Sequence, residues 1–371
     1  MNRERTERVL GIARKELVSI RRDPRLLRVV FVAPIVQLLI FGYAVSTDVR
    51  NTKLYVVDHE RTSASRALVE AMTSSGYFRL VGDSERPADL VAAIDRGSAT
   101  VGLQIPPGYT AALQDPGGAR VQLLVDGTNS NVATVALGYA EQIVRAHGLA
   151  AVQARFQPPV DLRERAWYNP ALLSRIYNVP AVIGSIMLLV SLLLTALAVV
   201  RERELGTLEQ LMVSPLTPGE LIAGKTLPFA AIAMFDLVLI TTVALLWFRV
   251  PFTGNFLLLL LAALLFLLSS LGLGLLISTV SSTQQEAFLT TFLTFMPVML
   301  LSGFMFPVSS MPKVFQWLTI LNPLRHYLEI LRAIFLKGAG LGALWRQYAA
   351  LAVMGASLLG FATTRFHKTV R

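Results

Sequence analysis

Gly219-Glu-Leu-Ile-Ala-Gly224-Lys225-Thr226 satisfies the spacing G-x-x-x-x-G-K-[ST] of a phosphate-binding loop. In such a loop the backbone N–H groups close around phosphate, the lysine neutralises it and the hydroxyl holds magnesium. That chemistry needs a buried strand to deliver the loop and a helix N-terminus to receive the anion. Here Pro215 and Pro218 stand where the strand should be, and a long apolar run follows Thr226. No soluble segment shows an apolar strand ending in a magnesium-binding Asp. The pattern is therefore expected to be a match made by helix and loop residues at a membrane surface. A membrane-anchored P-loop NTPase remains the competing enzyme reading. Other reactive groups are sparse. There are no cysteines, so no disulfide, thiolate metal site or cysteine nucleophile can form. His59, His147, His326 and His367 lie far apart, with no ligand-like spacing. Asp58-x-Glu60 and Asp126-Gly-Thr-Asn look like site residues, but strand-end acids and Asp-Gly pairs are the ordinary chemistry of turns. Asp236 lies inside an apolar run. An intramembrane carboxylate is either a functional group or a neutral, hydrogen-bonded one in the bundle interior.

The elements that carry these residues are membrane spans. The chain has 371 residues, 54% hydrophobic and 16% charged, with a mean hydropathy of +0.56. Soluble domains carry about a quarter charged residues, so composition points to a membrane protein. Arg201–Thr226 separates two apolar runs, Val179–Val200 and Leu227–Phe248, each long enough to cross a bilayer as a helix. The segment between them holds four carboxylates (Glu202, Glu204, Glu209, Glu220) and three cations (Arg201, Arg203, Lys225). Such a segment cannot lie in hydrocarbon, so it is a water-facing connection. Leu205, Leu208, Leu211 and Met212 fall at helical spacing, and Ser214-Pro215 and Thr217-Pro218 then break the helix. A short amphipathic helix, apolar on one face and acidic on the other, is expected there. It suits docking onto a partner protein.

At these residues the chain resembles a family. Glu204-x-Gly206-Thr207-x-Glu209-x-Leu211, followed by Ser214-Pro215 and Gly224-Lys225, is similar to the cytoplasmic coupling loop of type-2 ABC exporter permeases. The resemblance implies that 201–226 docks on a separate ATP-binding subunit and transmits its closure to the membrane helices. Glu202, Glu204, Gly206, Thr207, Glu209, Leu211, Ser214 and Pro215 would form the contact. No cofactor is then expected on this chain, since ATP and magnesium would belong to the ATPase partner.

Along the chain, residues 1–28 carry nine Lys/Arg against four acids. Leu10, Ala13, Leu17 and Ile20 make one apolar face of a basic helix expected in the membrane interface. A basic nucleic-acid tail is the competing reading, set aside because of the apolar stripe and the span that follows. Arg14-Lys15-Glu16-Leu17, Arg22-Asp23-Pro24 and Phe41-Gly42-Tyr43-Ala44 also resemble the family. Val29–Val45 reads as an uncleaved first span. Residues 46–176 balance 13 Lys/Arg with 13 acids and alternate strand and helix patterns, which argues a small α/β domain. Spans are then expected at Val179–Val200, Leu227–Phe248, Asn255–Ile277, Phe288–Phe306 and Ala343–Thr363. The expected inside segments hold 15 Lys/Arg and the outside ones 5. This bias puts both termini and 201–226 in the cytoplasm and the 46–176 domain outside.

Prolines cut 307–340 into pieces too short to span, so an outer interfacial or re-entrant hairpin is expected. Arg325–Glu329 and Glu329–Arg332 are spaced to pair on its last helix. Ser302-Gly303-Phe304, Phe306-Pro307 and Asn322-Pro323-Leu324 with Tyr327 resemble the family's signature near its last span. The expected fold class is thus a six-helix, all-α transmembrane bundle with an inserted extracytoplasmic α/β domain. The bundle comprises residue 29–45 and 177–371 helices.

The resemblance implies an exporter permease in the bacterial cytoplasmic membrane that moves a drug-like, lipid-like or other amphipathic cargo. Its partners would be an ABC ATPase subunit, a second permease and membrane lipids, with room for a periplasmic adaptor and no nucleic acid. A membrane-anchored receptor or assembly scaffold using the outer domain is the alternative. The charged loop in mid-bundle and the broken hairpin argue against a mere anchor.

Overall fold

The computed structural model describes residues 2–44, 51–115, 118–128, 130–153, 167–169, 173–206 and 217–369. The chain divides into two compact units, residues 1–46 with 166–371, and residues 47–165.

The first unit is helical. Helix α1 (Asn2–Arg22) ends at Asp23-Pro24, where proline restricts the preceding residue. A short α2 (Pro24–Leu27) runs through a π turn (Arg28–Val32) into α3 (Ala33–Ala44). Among the described residues, three helices are long and apolar enough to cross a membrane: Ser174–Glu204, Gly219–Leu246 and Phe256–Val280. The first of these is the hub, with 78% of its apolar window buried against 44% and 50% for the others. The helix expected over Phe288–Phe306 spans Gln284–Leu300 instead. It stops early because Ser302 Oγ folds back onto the Met299 carbonyl and Gly303 turns left-handed. The last helix runs Leu341–Thr369 and crosses Phe256–Val280 at two glycines. A Cβ on Gly272 would lie 2.9 Å from the Leu359 nitrogen, and one on Gly355 would lie 2.8 Å from Leu268 Cβ. Small residues at such crossings let helix backbones approach, which is how helices associate where lipid removes the hydrophobic drive.

The second unit has a four-stranded sheet of order β2-β1-β3-β4. Strand β1 (Thr52–Asp58) pairs in parallel with β2 (Phe78–Ser84) and β3 (Val101–Ile105), and β3 pairs antiparallel with β4 (Gln122–Val125). Helix α4 (Ser63–Ser74) links β1 to β2, and α5 (Pro87–Asp95) links β2 to β3. Short α6 (Tyr109–Ala112) precedes β4, and α7 (Ser130–Gln153) follows it. Leu54, Val56, Leu68, Met72, Phe78, Leu103 and Ala140 close one core. The remaining helices of the first unit are α8 (Ser174–Glu204), α9 (Pro218–Leu246), α10 (Phe256–Val280), α11 (Gln284–Leu300), α12 (Lys313–Leu318), α13 (Pro323–Arg332) and α14 (Leu341–Thr369).

Candidate functional site

Both ends of the 201–226 connection are held by side chains from other helices. At the outgoing end, Arg203 Nη1 donates to the Ser281 carbonyl at 2.8 Å, just past the C-terminus of α10. Glu204 accepts from the Gln284 backbone N–H at 2.7 Å, at the N-terminus of α11. A cation at a helix C-terminus and a carboxylate at an N-terminus each meet the backbone groups those ends leave unpaired. Arg203 and Glu204 therefore bind the α10–α11 turn. Gly206 follows at φ +68°, the left-handed turn that releases the chain from α8. At the returning end, Thr217 and Glu220 form a capping box, with the Glu220 carboxylate accepting from Thr217 N–H at 2.9 Å. Thr207, Glu209, Leu211, Ser214 and Pro215 lie outside the described residues.

The phosphate-loop pattern has a different use here. Gly219–Thr226 lies within α9, so no open loop exists to surround a phosphate. Gly224 marks where α1 crosses α9; a Cβ there would lie 2.7 Å from Ile12 Cβ. Lys225 is 2% exposed. Its ammonium lies 2.9 Å from Glu202 Oε2 and 3.3 Å from Glu16 Oε1, and donates to the Ala198 carbonyl at 3.3 Å. Thr226 Oγ1 donates back to the Ile222 carbonyl at 2.8 Å. Every residue of the G-K-T triplet is thus occupied by helix packing. Lys15 Nζ completes the network on Glu202 at 2.8 Å, giving two ammoniums and two carboxylates that balance. A lone buried ammonium would be costly, and the two carboxylates compensate it. The Asp23 carboxylate sits 3.7 Å from Arg201 at the rim of the same junction, and Arg5 lies 3.6 Å from Glu220.

These contacts revise the reading of α1. Its buried positions are Glu16 and Ile20, with Ile12 against Gly224, whereas Leu10 and Leu17 are 58% and 45% exposed. Ile12, Glu16 and Ile20 recur every four residues and face protein. Ile20 belongs to that face rather than to the exposed Leu10–Leu17 stripe. Sequence reasoning missed the joint role of Glu16 and Lys225 because a charged residue reads as solvated. The signal was a glutamate at i, i+4 between two apolar residues.

In 307–340, α13 is buried on one side by Leu324, Tyr327, Leu328 and Leu331. Asn322 caps it, accepting from Leu324 N–H at 3.0 Å, while its amide donates to the Val298 carbonyl near the end of α11 at 2.7 Å. Pro323 takes the first helical position, where no N–H is needed. Tyr327 is fully buried, stacked on Phe266 at 4.3 Å between ring centroids, with its hydroxyl on Met187 Sδ at 3.3 Å. Arg325 pairs with Glu329 at 3.1 Å, as the spacing predicts. The expected Glu329–Arg332 pair is replaced. Gln347 Nε2 donates to the other Glu329 oxygen at 3.2 Å, and Arg332 turns to the Gly303 carbonyl at 3.1 Å and the Tyr177 ring at 3.8 Å. Glu329 is already satisfied, and the aromatic face offers the guanidinium a second partner.

Asp236 is 2% exposed on α9, and neither carboxylate oxygen has a hydrogen-bond partner among the described residues. In the sheet unit, Asp58 is the turn residue its position suggested. It accepts from the Glu60 and Arg61 N–H groups at 2.9 Å each and from the Ser65 hydroxyl at 2.6 Å. Burial pushes its carboxyl up. The Ser65 hydroxyl, the Arg61 and Glu60 N–H groups and the Arg61 charge together outweigh that and hold it below its ordinary value. Asp126 is likewise lowered by the N–H and hydroxyl of Thr128.

Comparison with known proteins places this architecture. The family described as ABC-2 family transporter protein matches residues 25–363. The probable multidrug ABC transporter permease YbhR of Escherichia coli (strain K12) is 33% identical over 364 residues, covering 98% of this chain and 99% of the relative. The probable multidrug ABC transporter permease YbhS of the same strain is 32% identical over 336 residues, covering 89% of each. The inner membrane transport permease YhhJ of that strain is 27% identical over 369 residues, covering 97% of this chain and 96% of the relative. With the family spanning nearly the whole chain and these helices arranged around a charged connection, the protein belongs to the ABC-2 transporter family, as a multi-pass permease subunit of an exporter.

Proposed function

We propose that this permease is driven by a separate ABC ATPase docked on 201–226, and that α1 is part of the device that receives the stroke. The observation that carries this reading is Lys225. One buried ammonium ties the returning end of the connection to Glu202 at its outgoing end and to Glu16 on α1. A push on the loop therefore moves α1, α8 and α9 together, and Arg203 and Glu204 pass it to the α10–α11 turn. The middle of the connection, Thr207 to Pro215, is the part assigned to meet the ATPase. ATP and magnesium stay on that partner.

In this reading six spans form the bundle, with both termini and 201–226 cytoplasmic, and the sheet unit lies outside as an inserted α/β domain. The 15-to-5 bias of Lys/Arg supports that orientation. Two permeases, identical or similar, pair to enclose the path, in contact with membrane lipid and, outside, with an adaptor. Relatives named multidrug permeases support a drug-like or amphipathic cargo. Asp236 is the intramembrane functional residue: a carboxylate buried without a hydrogen bond is retained at a cost. The hairpin with Asn322, Pro323, Arg325, Tyr327 and Glu329 closes the outer end.

The test combines labelling with capture. A cysteine at Ser130 is expected to react with an impermeant reagent from the extracytoplasmic side, and one at Ser214 is expected not to. The chain should retain an ABC ATPase on purification. The opposite labelling pattern overturns the orientation and the docking assignment together.

A further inference from the structure

The sheet unit carries a cleft of about 420 Å³ between α4 and the edge strand β2. Its place follows from the topology. Helix α4 leaves β1 and covers the face of Leu54 and Val56, against which Leu68 and Met72 pack. Helix α5 leaves β2 and covers the other face, where Leu90 lies against Gly102, the ladder partner of Tyr55. Neighbouring strands whose connections depart to opposite faces leave a crevice near their carboxyl ends, the usual ligand position in open α/β sheets. Val56 and Asp58 of β1 and Leu80 and Asp83 of β2 line it. A bulge in β2 shapes this crevice. Leu80 pairs with Leu54 but Asp83 pairs with Val56, so Val81 is an extra residue. In an unbroken register Asp83 would stand opposite Val57 and point to the other face. The slip turns Asp83 to the same face as Leu80, and bulges recur next to sites because they re-aim a side chain in this way.

Charge and shape select the ligand. Leu80 is 41% exposed and forms an apolar floor with Val69 of α4. Helix α4 presents Arg66, Val69, Glu70 and Thr73 to the cleft, the i, i+3, i+4, i+7 stripe of one helix face. Several of the charges are already used. Arg61 pairs with Glu85 at 3.2 Å, and Arg66 Nη1 donates to the Arg61 carbonyl at 3.1 Å. Asp58 is held by its own turn and by Ser65. Among the described residues no hydrogen bond or ion pair occupies the Glu70 and Asp83 carboxylates. One acid from the helix and one from the strand thus outweigh Arg66 above the apolar floor. We propose that this cleft binds an amphipathic organic cation, with its apolar body on Leu80 and Val69 and its ammonium between Glu70 and Asp83. A cleft of about 420 Å³ falls in the range of small-ligand sites, roughly 300–1,000 Å³. An added strand from a partner protein is the poorer occupant, because the bulge interrupts the edge on which it would pair. The site lies within the sheet unit, so the assignment depends neither on the ATPase nor on the side of the membrane this unit occupies.

The test is hydrogen exchange of the full chain in detergent, read over residues 63–84, with three probes that share one apolar body. Phenylbutylammonium is expected to slow exchange in α4 and β2, phenylbutanol to do so more weakly, and phenylbutanoate to do so least. The double variant Glu70→Gln, Asp83→Asn changes only exposed side chains and should weaken the ammonium about fivefold, the scale of exposed charge pairs. Leu80→Trp fills the cleft from an exposed position and should abolish the protection while the rest of the sheet exchanges as in the wild type. Equal protection by the three probes, or wild-type affinity in the double variant, overturns the cation assignment. Wild-type protection in Leu80→Trp overturns the site, and so does an ammonium that slows exchange nowhere in α4 and β2. If a lysine-rich peptide protects these residues and phenylbutylammonium does not, the cleft takes a protein partner and the small-ligand assignment falls.

Discussion

Replacing Lys225 by methionine keeps its length and helix propensity and removes only the ammonium. The change breaks the ion pairs to Glu202 at 2.9 Å and Glu16 at 3.3 Å and leaves those carboxylates at 7% and 9% exposure. Removing one partner of a buried pair costs about 3–5 kcal/mol, because the other charge stays buried. Two features favour the low end. Lys15 still holds Glu202 at 2.8 Å, although a pair this exposed on the lysine side contributes little. A cavity of about 510 Å³ lined by Lys15, Glu16, Asp23, Arg201 and Glu202 can also admit water to the carboxylates left behind. The expected loss is therefore about 3 kcal/mol, read as the shift in unfolding of the chain in an SDS titration from mixed micelles. The triple variant Lys225→Met, Glu16→Gln, Glu202→Gln removes the stranded charges and should recover most of it. A loss below about 0.5 kcal/mol for Lys225→Met, or a triple variant no better than the single one, refutes the claim that this lysine is an inward structural charge. Saturable ATP binding by the isolated chain that Lys225→Met abolishes would restore the phosphate-loop reading.

Gly224→Leu should push α1 off α9, since even a Cβ would lie 2.7 Å from Ile12 Cβ. Faster proteolysis within residues 5–22 reports it, and Ile12→Ala in the same chain should restore part of the protection. In the sheet unit, the depressed Asp58 carboxyl contributes stability that is fully present above the unfolded value of about 3.9 and is lost as pH falls through the folded one. Asp58→Asn should thus flatten the acid limb of β1 amide protection in hydrogen exchange, and an unchanged limb would remove the Asp58 turn from the account.

Much of the membrane unit is legible because burial in lipid demands unbroken apolar length. Val179–Val200, Leu227–Phe248 and Asn255–Ile277 announce the three most apolar helices, with boundaries shifted by a few residues where charged ends such as Arg201–Glu204 continue the helix. The sheet unit is legible for the opposite reason, since KLYVVD and its successors alternate with Pro- and Gly-marked turns. What stays hidden is which charge goes inward. Arg325 and Arg332 both stand within helical reach of Glu329, and the choice between them depends on Tyr177 and Gln347, which are remote in sequence. Glu16 and Lys225 are 209 residues apart, so their pairing is a property of the folded junction. The Gly224-Lys225-Thr226 triplet shows how a motif can be read correctly as letters and still serve packing.

The central claim is that 201–226 receives the force of an ATPase, and Glu209→Lys tests it most directly. Gly206→Leu is its backbone counterpart, placing a side chain at φ +68°, where an L-residue is strained by about 1–2 kcal/mol. Both variants are expected to fold and insert; at Gly206 a Cβ meets no atom of the described residues within 4 Å. The measurement is co-purification with the ATPase subunit together with cargo-stimulated ATP turnover in liposomes. The account predicts weakened capture, or turnover that no longer responds to cargo. Wild-type capture and wild-type stimulation in both variants would contradict it.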